Sequence, residues 1–406
     1  MRKCNLLLLS LFLWGSATFA GGYQVGLHSM RNTGMGLIGT SLYSDASALF
    51  YNPGGASFLN ETWNFSGGLS FLMTRTTFQA KDVMYQTHIK DMVNTPFYFY
   101  AAGKPLKDFC VGLSVNTPYG NGLQWDDNWE GRFLIQKIAF KAITIQPTVS
   151  YKIKDIIGIG VGFVVAYGDV NLTKAIPLNG TTSEGSMHIS GTAINYGFNA
   201  GIQVHPVKGL SLGVDYRSKI DMKVKKGKAT FNVPSSLSTE FPENKVDVTL
   251  PLVSNLDFGA SYETGKWMFG LNLCYVMWSE YDSLSFSFEK ETSYVQRTVT
   301  PSLYISKLIP RIGVQYKVND IITARIGGYY DASPVRDNYL DPQTPSDDEI
   351  GITCGVSIYP LKGLSIDAAF LYLMGIERDG SYSPDNFSGT YKNTLYSPGI
   401  GLTYQF

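Results

Sequence analysis

The chain has 406 residues, with basic and acidic side chains balanced at 33 each and 42 glycines; charged residues make up 16% and aromatics 14%. A charged fraction far below the roughly 25% of ordinary soluble domains, with no basic surplus, excludes a nucleic-acid binder that works through phosphate contacts. Of four cysteines, the three beyond the N-terminal twenty residues are odd in number and widely spaced, which argues against a disulfide framework and a CxxC metal or redox site.

Residues 1–20 read as a secretory signal peptide: Arg2 and Lys3 form the basic region, Leu6 to Trp14 the apolar run, and Thr18-Phe19-Ala20 the cleavage site. The run is too short for a membrane helix, which needs about 20 apolar residues. Its removal leaves 31 basic against 33 acidic residues, a formal charge of −2. The cysteines that remain, Cys110, Cys274 and Cys354, read as small strand residues. An exported, weakly charged chain rich in Tyr, Phe and Gly, with no later apolar run long enough for a helix, points to an outer-membrane β-barrel. The alternative is a large secreted sandwich or propeller, and periodicity has to decide.

Residues 21–62 are rich in Gly, Ser and Ala and lack strand alternation. Asn52-Pro53-Gly54-Gly55 breaks this segment and reads as a tight turn, in which Pro fixes one dihedral and Gly tolerates positive φ. The residues alone leave two readings open: a hatch that fills a barrel from inside, or a periplasmic leader ahead of the first strand.

From Trp63 the period becomes two. Trp63, Phe65, Leu69, Phe71 and Met73 alternate with Asn64, Ser66, Gly68 and Ser70, and Ile143 to Ile153 repeats the pattern against Thr144, Gln146, Thr148, Ser150 and Lys152. The alternation returns at 157–167, 196–204, 210–216 and 267–275. Runs of this length match the roughly 9–11 residues a barrel strand needs to cross the hydrocarbon. Short turns, as at Lys154-Asp155 and Glu263-Thr264-Gly265, alternate with long polar segments at 75–95, 119–137, 171–190, 226–246, 280–302, 332–347 and 376–393. Seven long loops imply a fourteen-stranded transmembrane antiparallel barrel over 63–406, both ends on the periplasmic side. The amphipathic end, Ile400, Leu402, Tyr404 and Phe406, resembles the recognition signal of the barrel assembly machinery.

Two decoys fall away. Gly158, Gly160 and Gly162 have GxG spacing, but alternation continues through Phe163, Val165 and Tyr167 where a dinucleotide fold needs a turn and a helix. The histidines His28, His88, His188 and His205 share no ligand spacing, and no GxSxG elbow or HExxH helix occurs, so neither an enzyme, a metal nor a cofactor is expected. The lumen side is less polar than a water-filled porin requires: Val164, Ala166, Met268, Val276 and Trp278 fall on it, and PFYFYAAG (96–103) is aromatic on both faces. These residues either line a greasy route or pack the hatch.

Several stretches, in order, carry a resemblance: GMGLIGTSLYSDASALFYNPGGASFL (34–59), VGLSVNTPYGNGLQWDDNWEGRF (111–133), ITIQPTVSYKI (143–153), YVMWSEYDSL (275–284) and DASPVRDNYLDPQTPSDDEIGIT (331–353). They resemble the FadL-type outer-membrane family, transporters of long-chain fatty acids and aromatic hydrocarbons. That family reads Asn-Pro-Ala where this chain has Asn52-Pro53-Gly54. The resemblance implies a monomeric barrel closed by an N-terminal hatch, binding of hydrophobic small molecules within the wall, and sideways release into outer-membrane lipid through a kink in the third strand. An apolar solute gains about 0.8 kcal/mol per CH₂ on leaving water, so such a route keeps that gain. Relatives that hold exported proteins for a secretion system give a second reading, and a diffusion porin a third; no ladder of opposed lumen charges supports the porin.

Three candidate sites follow. Asn116-Thr117-Pro118-Tyr119-Gly120 interrupts the third strand, and because proline cannot donate to a ladder Asn116, Pro118 and Gly120 mark either the lateral opening or simply the strand's end. Tyr23, the third mature residue after cleavage at Ala20, matches an aromatic of the family and is expected to reach into the pocket. Continued parity sends Lys174 on the fifth strand and Lys307 on the tenth into the lumen, where fatty acid transporters place basic residues near a carboxylate. The alternative is that both are solvated at loop bases.

Overall fold

Alternation alone builds the wall. In the computed structural model, which describes residues 22–81, 83–178 and 184–406, β-strand pieces make one antiparallel sheet and join into fourteen spans. In chain order these begin with β1 (Trp63–Ser70, continued by Leu72–Ala80), β2 (Phe97–Leu106, after the short pieces Gln86–His88 and Val93–Asn94), β3 (Phe109–Gln124), β4 (Lys137–Ile153) and β5 (Ile157–Pro177). Next come β6 (Glu184–Val207), β7 (Leu210–Arg217 and Ile220–Asn232), β8 (Asn244–Leu252 and Asn255–Thr264) and β9 (Trp267–Val276 and Ser283–Phe288). The last five are β10 (Thr298–Pro301 and Lys307–Lys317), β11 (Ile322–Asp331), β12 (Glu349–Leu361), β13 (Leu364–Gly375 and Arg378–Tyr382) and β14 (Phe387–Gln405). Each span pairs with the next, and β1 pairs with β14, Phe65 opposite Tyr404, so the sheet closes without an edge. Closure removes the unpaired N–H and C=O groups that a bilayer cannot satisfy.

The polarity is inverted relative to a soluble core. On β4, Thr144, Gln146, Thr148 and Ser150 are buried, while Ile145, Val149 and Tyr151 between them are exposed. The same belt continues through Phe163, Tyr196, Phe198, Ile312 and Ile400. A soluble monomer rarely exposes an apolar surface of such extent, so this belt is the lipid face. Tight turns close the rim that carries the chain terminus: Lys154 and Asp155 both take positive φ, 52° and 54°, the twist-matched geometry of a two-residue hairpin. Cys110, Cys274 and Cys354 are unpaired strand residues.

The ladders run further than alternation predicts. β5 and β6 pair from Ile157 opposite Val204 out to Pro177 opposite Glu184, across most of the expected loop 171–190. β3 likewise stays paired with β4 to Gln124 beyond the expected loop start at 119. Backbone hydrogen bonds need no apolar face to persist, so hairpins outlast the hydrocarbon and alternation cannot locate their ends. The signal-peptide stretch 1–20 lies outside the described residues.

Residues 22–62 contribute no strand, only short helices at Met30–Thr33 and Ala48–Tyr51 and a 3₁₀ turn at Pro53–Phe58. This segment is buried almost throughout and packs against inward-facing residues from around the wall. Wall side chains satisfy its irregular backbone. Gln146 Nε2 donates to Leu49 O (2.8 Å), Gln203 Nε2 to Ser41 O (2.9 Å), Arg217 Nη2 to Phe50 O (2.6 Å) and Arg311 Nη1 to Leu37 O (3.1 Å). Arg31 reaches Asp367 on β13 (3.2 Å) and Asp45 of its own segment (3.5 Å). A buried backbone without such partners would cost about 1–3 kcal/mol per orphaned group.

Asn52, Pro53 and Gly54 differ from the expected turn in their physics. Asn52 caps the 3₁₀ turn by accepting from Gly54 N (3.0 Å), and its Nδ2 donates to Thr40 O (2.8 Å) and across to Ile202 O (3.0 Å) on β6. Gly54 is not in the left-handed region; a Cβ there would lie 2.7 Å from Gly158 O and 2.8 Å from Gly201 O. Closeness to the wall requires this glycine, not φ. The GxG decoy has the same origin, since Gly158 and Gly160 leave room for Gly54 and Pro53.

Candidate functional site

β3 is where the wall departs from its pattern. Its first half alternates and pairs with β2 as far as Asn116 opposite Tyr98. Between Asn116 and Tyr119 the register with β4 shifts, and eight consecutive residues, 116–123, are buried instead of every second one. Beyond Thr117, whose hydroxyl meets Phe97, no backbone hydrogen bond among the described residues joins β3 to β2 until Lys90 N donates to Gln124 O (2.7 Å). The N-terminal segment takes part of the vacated edge: Val25 N donates to Pro118 O (2.9 Å), and Gly120 N to Tyr23 O (2.9 Å). A proline has no N–H to give a neighbouring strand. A seam between β2 and β3 results, with Phe97 and the Lys141 ammonium (6.0 Å from that ring) beside it.

Tyr23 stands at the inner lip of this break. Its ring meets Trp278 (5.0 Å) and Phe140 (6.1 Å) edge-on and lies near Tyr119 and Tyr281, and its hydroxyl donates to Pro251 O. Burial raises the phenol far above its ordinary pKa, so it stays a neutral donor. The preceding Gly22 has φ +75°, and a Cβ there would strike the Trp278 ring.

Tyr23 divides two kinds of lumen. On one side lies an apolar cavity lined by Phe140, Leu172, Ile189, Met222, Val248 and Phe286, with Asn121 and Asp341 among its few polar groups. It shares Leu172, Phe286, Thr300 and Gln343 with an outer cavity of ≈ 180 Å³ towards the long loops. From Gln24 onward the lining changes. Gln24, Val25, His28, Pro118 and Tyr119 border a chamber that contains Asp215, Arg217, Asp257, Arg311, Asp331 and Glu349. His28 is buried in it, and burial, with the Arg217 charge adding, pushes the imidazole down to about 3.

The two lysines are not brought together. Lys174 lines the outer cavity among Phe231, Phe241, Phe286 and Phe288. Lys307 opens its strand opposite Val276 and lines a separate depression with Arg336, Asp337, Asp348 and Arg378. Parity fixes the face a side chain starts from; neighbouring loops decide which cavity it meets. Asn121 and Asp341 were not singled out in the sequence: the first lies in an interrupted strand, the second in a loop 220 residues away, and the two regions meet through bonds from Asn121 Nδ2 to Gln343 O (3.0 Å) and from Trp125 Nε1 to Pro342 O (3.3 Å).

The family described as outer membrane protein transport protein (OMPP1/FadL/TodX) matches residues 11–406. The long-chain fatty acid transport protein of Salmonella typhi is 21% identical over 443 residues, covering 99% of this chain and 98% of its own. Outer membrane protein P1 of Haemophilus influenzae is 21% identical over 426 residues, with 92% and 91% covered. Among solved structures, a Pseudomonas aeruginosa FadL homologue is similar with a TM-score of 0.85 at 19% identity, over 95% of this chain and all of the other. The Pseudomonas putida toluene transporter TodX gives 0.75 at 15%, over 96% and 99%. At such identities the structural likeness shows the fold.

Proposed function

Since the chain belongs to the OMPP1/FadL/TodX family of outer-membrane transporters of hydrophobic compounds, we propose that it takes up a hydrophobic molecule at the outer cavity, passes it to the apolar cavity at Tyr23 and releases it sideways between β2 and β3. Residues 21–62 then act as the hatch. The supporting observation is the change of lining at Tyr23. An apolar molecule that went on past Tyr23 would enter a chamber of buried carboxylates and guanidinium groups and displace their solvation. Transfer back to a polar surrounding forfeits about 25 cal/mol per Å² of apolar area, whereas the seam beside Pro118 leads to the lipid face. Tyr23 is the movable element in this reading, because the backbone around it is held to the wall by two hydrogen bonds rather than a full ladder.

Lys174 sits where a molecule first enters, and its ammonium is suited to hold an acidic head group while apolar rings cover the tail. Lys307 plays the same part only if its depression belongs to the entry route.

Uptake of a radiolabelled fatty acid and of a labelled monoaromatic hydrocarbon by whole cells tests the exit. Replacing Pro118 and Gly120 together with valine restores a backbone donor at 118 and β-branched packing to β3; a Cβ at Gly120 meets nothing closer than 3.5 Å. Uptake of both compounds is expected to fall severely while the barrel still shows heat-modifiable migration on a gel. Undiminished uptake by an assembled variant refutes lateral release.

A further inference from the structure

The apolar cavity has an unusual polar complement for a chain expected to carry acids. Among the described residues, none of the side chains lining it is Lys, Arg or His. Of its two carboxylates, Asp169 is opposite Lys141 on the outward parity of the wall, since its neighbour Gly168 faces the buried Ala142. Asp341 belongs to the loop between β11 and β12, is 9% exposed, and accepts from Gln343 N (2.8 Å) and Gln343 Nε2 (2.9 Å). An ionised carboxylate offers about four acceptor sites, so acceptor capacity remains. Asn121, 3% exposed, donates through Nδ2 to Gln343 O, which fixes which end of the amide is oxygen; that oxygen, Oδ1, is buried without a hydrogen-bond partner. The hydroxyls of Tyr23, Tyr281 and Tyr304 are meanwhile engaged with Pro251 O, Ser302 and Thr344. Above about pH 7, where Asp341 is ionised, the cavity presents spare acceptors beside one negative charge, and no cation among the described residues.

We infer that the apolar cavity prefers a neutral hydrophobic molecule bearing a hydroxyl, whose proton goes to Asn121 Oδ1, over the ionised form of a carboxylic acid. This rests on the reading of the cavity as a ligand station on the transport route. Lys174, the one cationic residue lining the outer cavity among the described residues, and Asp341, which lines the apolar cavity, set an order of charge along the track, with Gln343 bordering both cavities. An anion is attracted at the entrance and repelled one step further in. An orphaned buried acceptor is costly, and a ligand hydroxyl removes that cost where a hydrocarbon or an ether does not.

The test uses the purified full-length barrel in detergent, carrying Lys174→Met to remove the outer ammonium, with 1-octanol, octyl methyl ether and octanoate titrated calorimetrically at about pH 8.5, where Asp341 and octanoate are both ionised. Octanol is expected to bind roughly fivefold tighter than the ether, the gain of one hydrogen bond. Octanoate should bind at least roughly tenfold more weakly than octanol. Asn121→Ala brings octanol level with the ether. Asp341→Asn raises octanoate affinity roughly tenfold and leaves octanol nearly unchanged; this arm decides alone if Asn121→Ala fails to assemble. Octanoate binding as tightly as octanol, or an octanol advantage that survives both substitutions, overturns the inference alone. Binding of none of the three overturns the ligand-station reading and the inference with it.

Discussion

On one side of Tyr23 the lumen is lined by Leu172, Ile189, Met222 and Phe286; on the other, by Asp215, Arg217, Asp257 and Arg311. Strands β7, β8 and β9 each contribute to both, and each is interrupted between its two contributions: on β7 the inward residues change from Asp215 and Arg217 before the break at 218–219 to Met222 and Val224 after it. The charged chamber is held together by the segment it encloses: Arg217 grips Phe50 O and lies 3.9 Å over the Phe50 ring. The apolar cavity has no such occupant. One chamber is filled with fixed charged partners, and the other is lined mainly by apolar side chains.

Four predictions test this contrast, the largest effect first. Arg217→Leu removes the guanidinium and leaves Phe50 O and the nearby Asp215 uncompensated. Breaking one partner of a buried charged group costs about 3–5 kcal/mol. Urea unfolding of the folded barrel should therefore show a large loss for this variant, and a loss no greater than that of a surface substitution would mean the charged chamber is not structural.

Tyr23→Ala deletes the divider. Removing a buried aromatic costs roughly 3–5 kcal/mol, carried here by the N-terminal segment alone. Backbone amides of residues 22–30 should exchange much faster with solvent deuterium, while those of β4 and β5 keep their rates. Equal acceleration everywhere would place Tyr23 in the global core instead of at a local divider.

Acid and base should loosen opposite chambers. Burial lowers His28 from 6.5 to about 3, so the stability its neutral form lends is complete above 6.5 and is lost as pH falls from there towards 3. Burial raises Asp341 from 3.8 to about 7 despite the Gln343 N–H bond that favours its anion. Its contribution is complete below 3.8 and is lost as pH rises to about 7. Hydrogen exchange across that interval should quicken around residues 25–28 on acidification and around 339–344 on alkalinisation. The same trend in both segments breaks the comparison.

The smallest effect is Ile189→Val in the apolar cavity, roughly 1 kcal/mol in unfolding. If the cavity is the ligand station proposed above, binding of a bulkier hydrophobe should be unchanged or slightly tighter. A stability loss as large as that of Arg217→Leu would make this cavity a packed core.

Much of the barrel was legible in the residues. Thr144, Gln146, Thr148 and Ser150 against Ile145, Val149 and Tyr151 state which face meets lipid before any coordinate is known, because a strand's side chains must alternate. The short turns at Lys154-Asp155 and Glu263-Thr264-Gly265 placed the tight rim, and Lys154, Asp155 and Gly265 take positive φ there. The break at Pro118 was visible too, though not its form: whether β3 stopped there or bulged and continued depended on pairing with β4. The Asn52-Pro53-Gly54 turn was found for an incomplete reason, since Gly54 answers to Gly158 and Gly201 from distant strands.

Sequence by itself determined the elements whose causes are local: the period of two, the inverted polarity, the short turns and the irregular N-terminal segment, each set by residues within a few positions of one another. Tertiary structure decided everything that depends on which distant residues meet. It sent Lys174 and Lys307 to different cavities, seated Tyr23 among Trp278, Tyr281 and Phe140, and set Asn121 against the loop that carries Asp341 and Gln343. Closing a barrel juxtaposes residues more than two hundred positions apart, and no local pattern encodes such a meeting.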